Sequence, residues 1–85
     1  MAQIIFTQQL ARFLPVPTLE TAAASLRAAL DGAFAANPRL GAYVLDEQGR
    51  LRANVVVFID GKRSELDAPL RPDSRIYVLQ ALSGG

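Results

Sequence analysis

Two runs of this sequence are apolar on both faces of the strands that they predict. They are Asn54–Ile59 and Arg75–Leu82, and both are rich in the branched and aromatic residues that strands favour. Because side chains alternate along a strand, Val55, Val57 and Ile59 fall on one face and Val56 and Phe58 on the other. The last strand does the same, with Ile76 and Val78 on one face and Tyr77 and Leu79 opposite. A single helix covers only one face of a sheet, and exposed apolar surface of this size marks an interface. We expect the second set to bind a partner; the alternative is that a loop or the Phe13–Pro15 segment covers it.

Helical periodicity is clearest in the alanine-rich segment Ser25–Ala36. Its apolar face consists of Leu26, Leu30, Ala33 and Phe34. Ser25 is a suitable N-cap, and Asn37-Pro38 is a strong stop signal. Gly32 lies in the middle of the helix at a cost of about 1 kcal/mol relative to alanine. We interpret it as a point of close packing against a strand.

The segments before this helix predict one strand and leave a second open. Gln3–Thr7 is strand-like, and the two prolines of Pro15-Val-Pro17 exclude a helix and a central strand there. Thr18–Ala22 fits either the return strand of a hairpin or the first turn of the helix. The sequence pattern does not decide between them.

The segments after the helix predict short strands separated by turns. Tyr43–Leu45 is predicted as a strand and Asp46–Gly49 as a turn. Asp60-Gly61 is typical of a type I′ hairpin and leads the chain back into Lys62-Arg63. Ala68–Asp73, with two prolines, is predicted as a loop before the last strand.

The order strand, strand, helix and further strands predicts an α+β fold. We expect a ubiquitin-like β-grasp roll, in which one main helix packs on one face of a mixed sheet. Residues 1–82 are predicted to form a single domain, and Ser83-Gly84-Gly85 a flexible tail.

The composition of the chain excludes several classes of function. The 85 residues carry nine basic and eight acidic side chains, mixed along the chain, which argues against binding of nucleic acid or a membrane. Cysteine and histidine are absent, so thiolate chemistry and the commonest general base are excluded. The carboxylates lie in predicted turns without partners, which predicts a protein that is neither an enzyme nor a metal binder. No signal peptide is evident, so we expect a cytoplasmic protein.

The last two residues, Gly84 and Gly85, suggest a different kind of chemistry. Without Cβ atoms they can lie extended in a slot too narrow for other residues. The group presented at the tip is then the α-carboxylate of Gly85, a poor electrophile until a partner activates it, for example as an acyl-adenylate. The alternative is that Ser83-Gly84-Gly85 is a frayed end without function.

Taken together, these motifs resemble the MoaD/ThiS family of ubiquitin-like sulfur carriers, which includes the small subunit of molybdopterin synthase and the carrier of the thiamine pathway. The resemblance covers nearly the whole chain. It rests on the tail Leu82–Gly85, the hairpin Val55–Gly61, the helix end Asn37–Leu40 and the turn Leu45–Gly49.

The resemblance implies a mechanism in which the chain is a protein substrate. An E1-like adenylyltransferase would consume ATP to adenylate Gly85, and a sulfur donor, commonly a persulfide, would displace AMP to leave a thiocarboxylate. The carrier would then dock on a sulfur-accepting synthase, with no cofactor of its own. Gly84 and Gly85 are the implied reactive site, and the implied partner-binding residues are Val56, Phe58, Tyr77, Leu79, Leu82 and Ser83.

Two questions stay open at the level of the sequence. The pathway could be molybdopterin, thiamine or cysteine biosynthesis, because the segment Leu79–Leu82 lacks the proline-containing run common in the molybdopterin subunit. The chain could instead be a ubiquitin-like modifier, whose Gly85 forms an isopeptide bond with a lysine of a target protein.

Overall fold

The computed structural model describes residues 1–7, 10 and 18–80. Within them, five strands form one sheet in the order β2-β1-β5-β3-β4. The strands are β1 (Ala2–Phe6), β2 (Thr18–Thr21), β3 (Val55–Ile59), β4 (Lys62–Arg63) and β5 (Arg75–Gln80). The two central strands, β1 and β5, are parallel, and every other pair is antiparallel. The mixed sheet of a β-grasp fold is therefore confirmed.

The first hairpin decides the alternative that the sequence left open. Thr18 pairs with Ile5 and Thr21 with Ala2, so Thr18–Thr21 is a return strand and not the start of the helix. The chain between the two strands includes Phe13–Pro15 and Pro15-Val-Pro17, which lie outside the described residues. The prediction for those segments stays untested.

Helix α1 spans Leu26–Ala36 and begins as predicted at Ser25. The Ser25 hydroxyl accepts a hydrogen bond from the Ala28 N–H at 3.2 Å. The N–H groups of Leu26 and Arg27 donate to the carbonyls of Ala68 and Leu66, each at 2.9 Å. The loop before β5 thus supplies acceptors for N–H groups that the first turn of any helix leaves unpaired.

The predicted strand at Tyr43–Leu45 is wrong. Helix α2 spans Pro38–Val44, and Asn37 both ends α1 and precedes α2. Proline is tolerated in the first turn of a helix because the N–H that it lacks has no partner there. The stop signal at Asn37-Pro38 therefore ends one helix and starts another. Leu40 and Val44, one turn apart, are both fully buried.

Gly32 was interpreted as a point of close packing, and this is also wrong. Apart from the adjacent residues and the backbone of its own helix, no heavy atom lies within 4 Å of a Cβ placed at Gly32, and the residue borders an open groove between α1 and β2. Gly41 of α2 is the glycine that packs closely, since a Cβ there would lie 3.1 Å from Cγ of Phe34.

The Asp60-Gly61 turn is confirmed as a type I′ hairpin. Its φ angles are +51° and +84°, and this turn requires positive φ at both positions. The Asp60 carboxylate accepts a hydrogen bond from the Arg75 N–H at 3.0 Å, and the Asp60 N–H donates to the Arg75 carbonyl at 2.9 Å. These bonds attach the turn to the beginning of β5.

The core lies between one face of the sheet and the two helices. Its buried members include Ile4, Phe6, Val57, Ile76 and Val78 from the sheet and Leu26, Leu30, Leu40 and Val44 from the helices. Neither described helix has the length and continuous apolar character needed to cross a membrane.

Candidate functional site

The sheet face opposite the helices carries a second set of apolar side chains. Phe58 of β3 is paired with Tyr77 of β5, and Tyr77 is in turn the parallel partner of Ile5 in β1. Val56 is paired with Leu79, the next pair of β3 and β5 on this face. We call Ile5, Val56, Phe58, Tyr77 and Leu79 the open-face patch.

The exposure of these residues sets them apart from the core. Tyr77 is 40% exposed, and the other four are partly exposed. Their immediate neighbours in sequence, Val57 and Val78, are 1% and 0% exposed. Patch and core therefore alternate along the same strands, as the sequence predicts for residues 56, 58, 77 and 79.

Ile5 belongs to the patch, although the sequence analysis did not select it. The signal was present in the run Ile4-Ile5-Phe6, in which an apolar residue occupies both faces of a strand. Ile4 and Phe6 are buried in the core, so Ile5 lies on the other face. The parallel pairing with Tyr77 brings it into contact range of the patch.

Two arginines border the patch on the same face. Arg63 of β4 is paired with Phe58, and Arg75 precedes Tyr77 by two residues on β5. Both side chains are exposed, and neither forms an ion pair or hydrogen bond with another described side chain. Glu20, on β2, lies in the same row as Gln3 and Arg75. The face is therefore apolar in its middle and charged along one side and one end.

The direction of β5 sets where the tail begins. Arg75 stands at the charged end of the face, and the last described pair, Val55 with Gln80, stands at the opposite, apolar end. Gln80, the last described residue of β5, thus lies at the apolar end, next to Leu79 and opposite Val55. The remaining predicted site residues Leu82, Ser83, Gly84 and Gly85 lie outside the described residues.

The Asp46 carboxylate, in the turn after α2, has structural partners. Oδ1 of Asp46 accepts hydrogen bonds from the N–H groups of Gln48 and Arg50, at 2.9 and 3.0 Å. The Arg50 N–H is the main cause that lowers the pKa of the Asp46 carboxyl below its ordinary value. Within residues 1–7, 10 and 18–80, no group of three or more acidic side chains is arranged to hold a metal ion.

Comparison with known proteins finds the same fold in several solved structures. The small archaeal modifier protein 1 of Haloferax volcanii is 19% identical, with a TM-score of 0.86 over 95% of this chain and 97% of that one. A chain of the BexX/CysO complex from Amycolatopsis orientalis is 16% identical, with a TM-score of 0.88 over 100% of both chains. No family model and no curated protein matches the sequence.

A third similar structure is described as molybdopterin converting factor subunit 1 from Pyrococcus furiosus. It is 12% identical, with a TM-score of 0.72 over 95% of this chain and 97% of that one. At these identities the likeness establishes the fold. The ubiquitin-like β-grasp fold predicted from the sequence is thus confirmed, and each of these three comparisons covers at least 95% of the chain.

Proposed function

We propose that this chain is a sulfur carrier whose Gly85 carboxyl is activated by an E1-like adenylyltransferase and converted to a thiocarboxylate. The observation that supports the proposal is the relation between the open-face patch and β5. The same strand that contributes Tyr77 and Leu79 to the patch continues into the Ser83-Gly84-Gly85 tail. A partner that docks on the patch is therefore within covalent reach of the tail.

The reach follows from covalent geometry. Five residues follow Gln80 in the sequence, and an extended chain spans at most about 3.6 Å per residue, or about 18 Å in total. An active site that accepts Gly85 would therefore lie within about 18 Å of the end of β5. Because Gly84 and Gly85 have no side chains, the last two residues fit a channel that only main chain can enter.

The proposed chemistry follows from the weakness of a carboxylate as an electrophile. Attack of the Gly85 carboxylate on the α-phosphate of ATP gives an acyl-adenylate and releases pyrophosphate. A persulfide sulfur then attacks the acyl carbon, and AMP leaves. A second thiol attacks the donor's sulfur in the resulting acyl disulfide, forms a disulfide with the donor, and releases the thiocarboxylate. All of these groups except Gly85 belong to partners, so this chain acts as a substrate.

The charges around the patch suggest the chemistry of the partner's surface. Arg63 and Arg75 border the apolar centre and have no acidic partner among the described residues. Complementary surfaces place opposite charges across an interface. We expect the activating enzyme and the sulfur-accepting synthase to present an apolar pocket with acidic side chains at its edge.

The experiment is intact-mass spectrometry of the protein isolated from its native cell under sulfur-replete conditions. The expected result is a mass increase equal to one oxygen-to-sulfur exchange at Gly85. Deletion of Gly85, or a Gly84→Leu substitution, should abolish it without unfolding the domain. Gly32→Ala is the matched control, because it changes a glycine remote from the tail. A Gly85-deleted chain that still acquires a thiocarboxylate would refute the proposal.

A second candidate function is that of a protein modifier. The observation that favours it is the likeness to a protein described as a small archaeal modifier. The first step would be the same adenylation, after which a lysine of a target protein attacks Gly85. The same mass spectrometry distinguishes the two, because a modifier gives target peptides that carry its tail on lysine.

A further inference from the structure

Lys62 is the single lysine of this sequence. The other eight basic residues are arginines, whose guanidinium groups stay protonated and therefore do not act as acyl acceptors. An activated carboxyl that meets another copy of this chain has only two amines to attack it, the side chain of Lys62 and the α-amine of Met1. The position of Lys62 thus decides what self-attachment would do to the molecule.

The side chain of Lys62 lies on the face of the sheet opposite the open-face patch. Lys62 is paired with Ile59, whose side chain is buried on the helix side, and paired residues of antiparallel strands share a face. Both residues border a groove of about 380 Å³, together with Ala68 and Arg71. The neighbouring residue Arg63 points to the patch. A group attached to Lys62 would therefore leave the patch free.

The Lys62 amine is also accessible. Residue 62 is exposed, directly after the Asp60-Gly61 turn, in the two-residue edge strand β4. Its side chain has no hydrogen-bonded or ion-paired partner among the described residues. Met1 is exposed as well, at 68%, so its α-amine is the alternative acceptor that the experiment must distinguish from Lys62.

We propose that Lys62 accepts the activated Gly85 carboxyl of a second copy of this chain, so that copies become linked tail to hairpin. The inference rests on the proposed activation of Gly85 by ATP and an adenylyltransferase. The neutral amine of Lys62 attacks the acyl carbon of the adenylate, a C–N bond forms, and the bond to AMP breaks. The amine releases its proton to solvent, and the product is an isopeptide bond.

Geometry favours linkage between copies over closure within one copy. Lys62 is level with Ile76 at the start of β5, whereas the tail begins after Gln80. Gln80 is four residues beyond Ile76 on β5, and β5 is two strands away from β4. With ordinary strand spacings, the Cα atoms of Lys62 and Gln80 are therefore about 16 Å apart. The five residues after Gln80 would have to reverse the direction of β5 and run back along the sheet to reach Lys62 of the same copy. A second copy has no such constraint.

The test compares the wild-type chain with Lys62→Arg, each expressed without a tag in the native cell and isolated under denaturing conditions with an antibody against the chain. Trypsin digestion of linked copies should yield a branched peptide in which residues 76–85 are joined through Gly85 to Lys62 of residues 53–63. Lys62→Arg should lose all linked copies, while the thiocarboxylate at Gly85 is unchanged, because Lys62 lies away from the tail and the patch.

Three results would overturn the inference. Linked copies that persist in Lys62→Arg would assign the linkage to the Met1 amine. A monomer whose mass is lower by one water would show that the isopeptide bond forms within one copy. A Gly85 thiocarboxylate without any linked copies would leave the carrier function standing and refute the acceptor role of Lys62. Loss of every Gly85 modification would instead refute the proposed function, and this inference with it.

Discussion

Phe58 and Tyr77 are directly opposite each other on β3 and β5, and both side chains lie on the sheet face that the helices leave open. The next pair along the same strands, Val57 and Val78, faces the core. A shift of one residue therefore separates the surface needed for folding from the surface available for binding. This alternation makes the two roles testable with neighbouring substitutions.

The first prediction compares Phe58→Asp with Val57→Asp. Phe58→Asp removes a partly exposed aromatic residue and its pairing with Tyr77, so we expect a loss of about 1–2 kcal/mol in the free energy of unfolding. Val57→Asp places an unpaired carboxylate in the core and should cost more than about 4 kcal/mol, or prevent folding. Urea denaturation followed by circular dichroism measures both.

The outcome bears directly on the open-face patch. If Phe58→Asp unfolds the domain as Val57→Asp does, then Phe58 belongs to a second core and the patch is not a free surface. If the variant stays folded and loses its thiocarboxylate in the native cell, the patch is needed for docking.

The second prediction concerns the two helical glycines. Gly32→Ala should raise the free energy of unfolding by about 1 kcal/mol, because alanine is the better helix former and, apart from the adjacent residues and the backbone of its own helix, nothing lies within 4 Å of the new Cβ. Gly41→Ala makes the same chemical change where the Cβ would lie 3.1 Å from Cγ of Phe34. We expect it to gain less than Gly32→Ala, or to destabilise. Thermal denaturation of both variants measures the two changes in stability. Equal stabilisation by the two substitutions would contradict the close packing at Gly41.

The sequence pattern predicted the parts of the fold that depend on local chemistry. Val55–Ile59 alternates between two faces as expected, and Ser25 caps its helix. The turn at Asp60-Gly61 has the φ angles that its residues favour. In each case the residues that determine the structure are neighbours in the chain.

The pattern failed where tertiary packing decides. Tyr43–Leu45 contains residues that favour strands, yet the burial of Leu40 and Val44 one turn apart stabilises a helix. Thr18–Thr21 forms a strand because it pairs with β1, and no signal within residues 18–21 specifies this pairing. The position of Ile5 beside Tyr77 depends on the parallel pairing of β1 with β5, strands that are distant in sequence.

The third prediction concerns pH and the turn that follows α2. Hydrogen bonds from the N–H groups of Arg50 and Gln48 lower the pKa of the Asp46 carboxyl below its unfolded value. A lowered pKa adds stability that is fully present above the unfolded pKa of about 3.9 and is lost as the pH falls through the folded pKa. Wild type should therefore be more stable than Asp46→Asn at pH 7, and the difference should shrink towards pH 3.

Glu47→Gln is the control for this experiment. It removes one negative charge from the same turn without removing the hydrogen bonds that Asp46 accepts. Urea denaturation at both pH values measures the three proteins. A difference between wild type and Asp46→Asn that stays constant from pH 7 to pH 3 would show that the carboxylate form of Asp46 does not stabilise the turn.

The last prediction tests the charges that border the open-face patch. Arg63→Glu combined with Arg75→Glu should lower the thiocarboxylated fraction in the native cell about tenfold, because two partly screened ion pairs with the partner are replaced by repulsions. Both side chains are exposed, so stability should change little. The matched control is Arg39→Glu with Arg71→Glu, an equal change of net charge on exposed residues away from the patch. Equal losses in the two double variants would assign the effect to net charge and not to the patch.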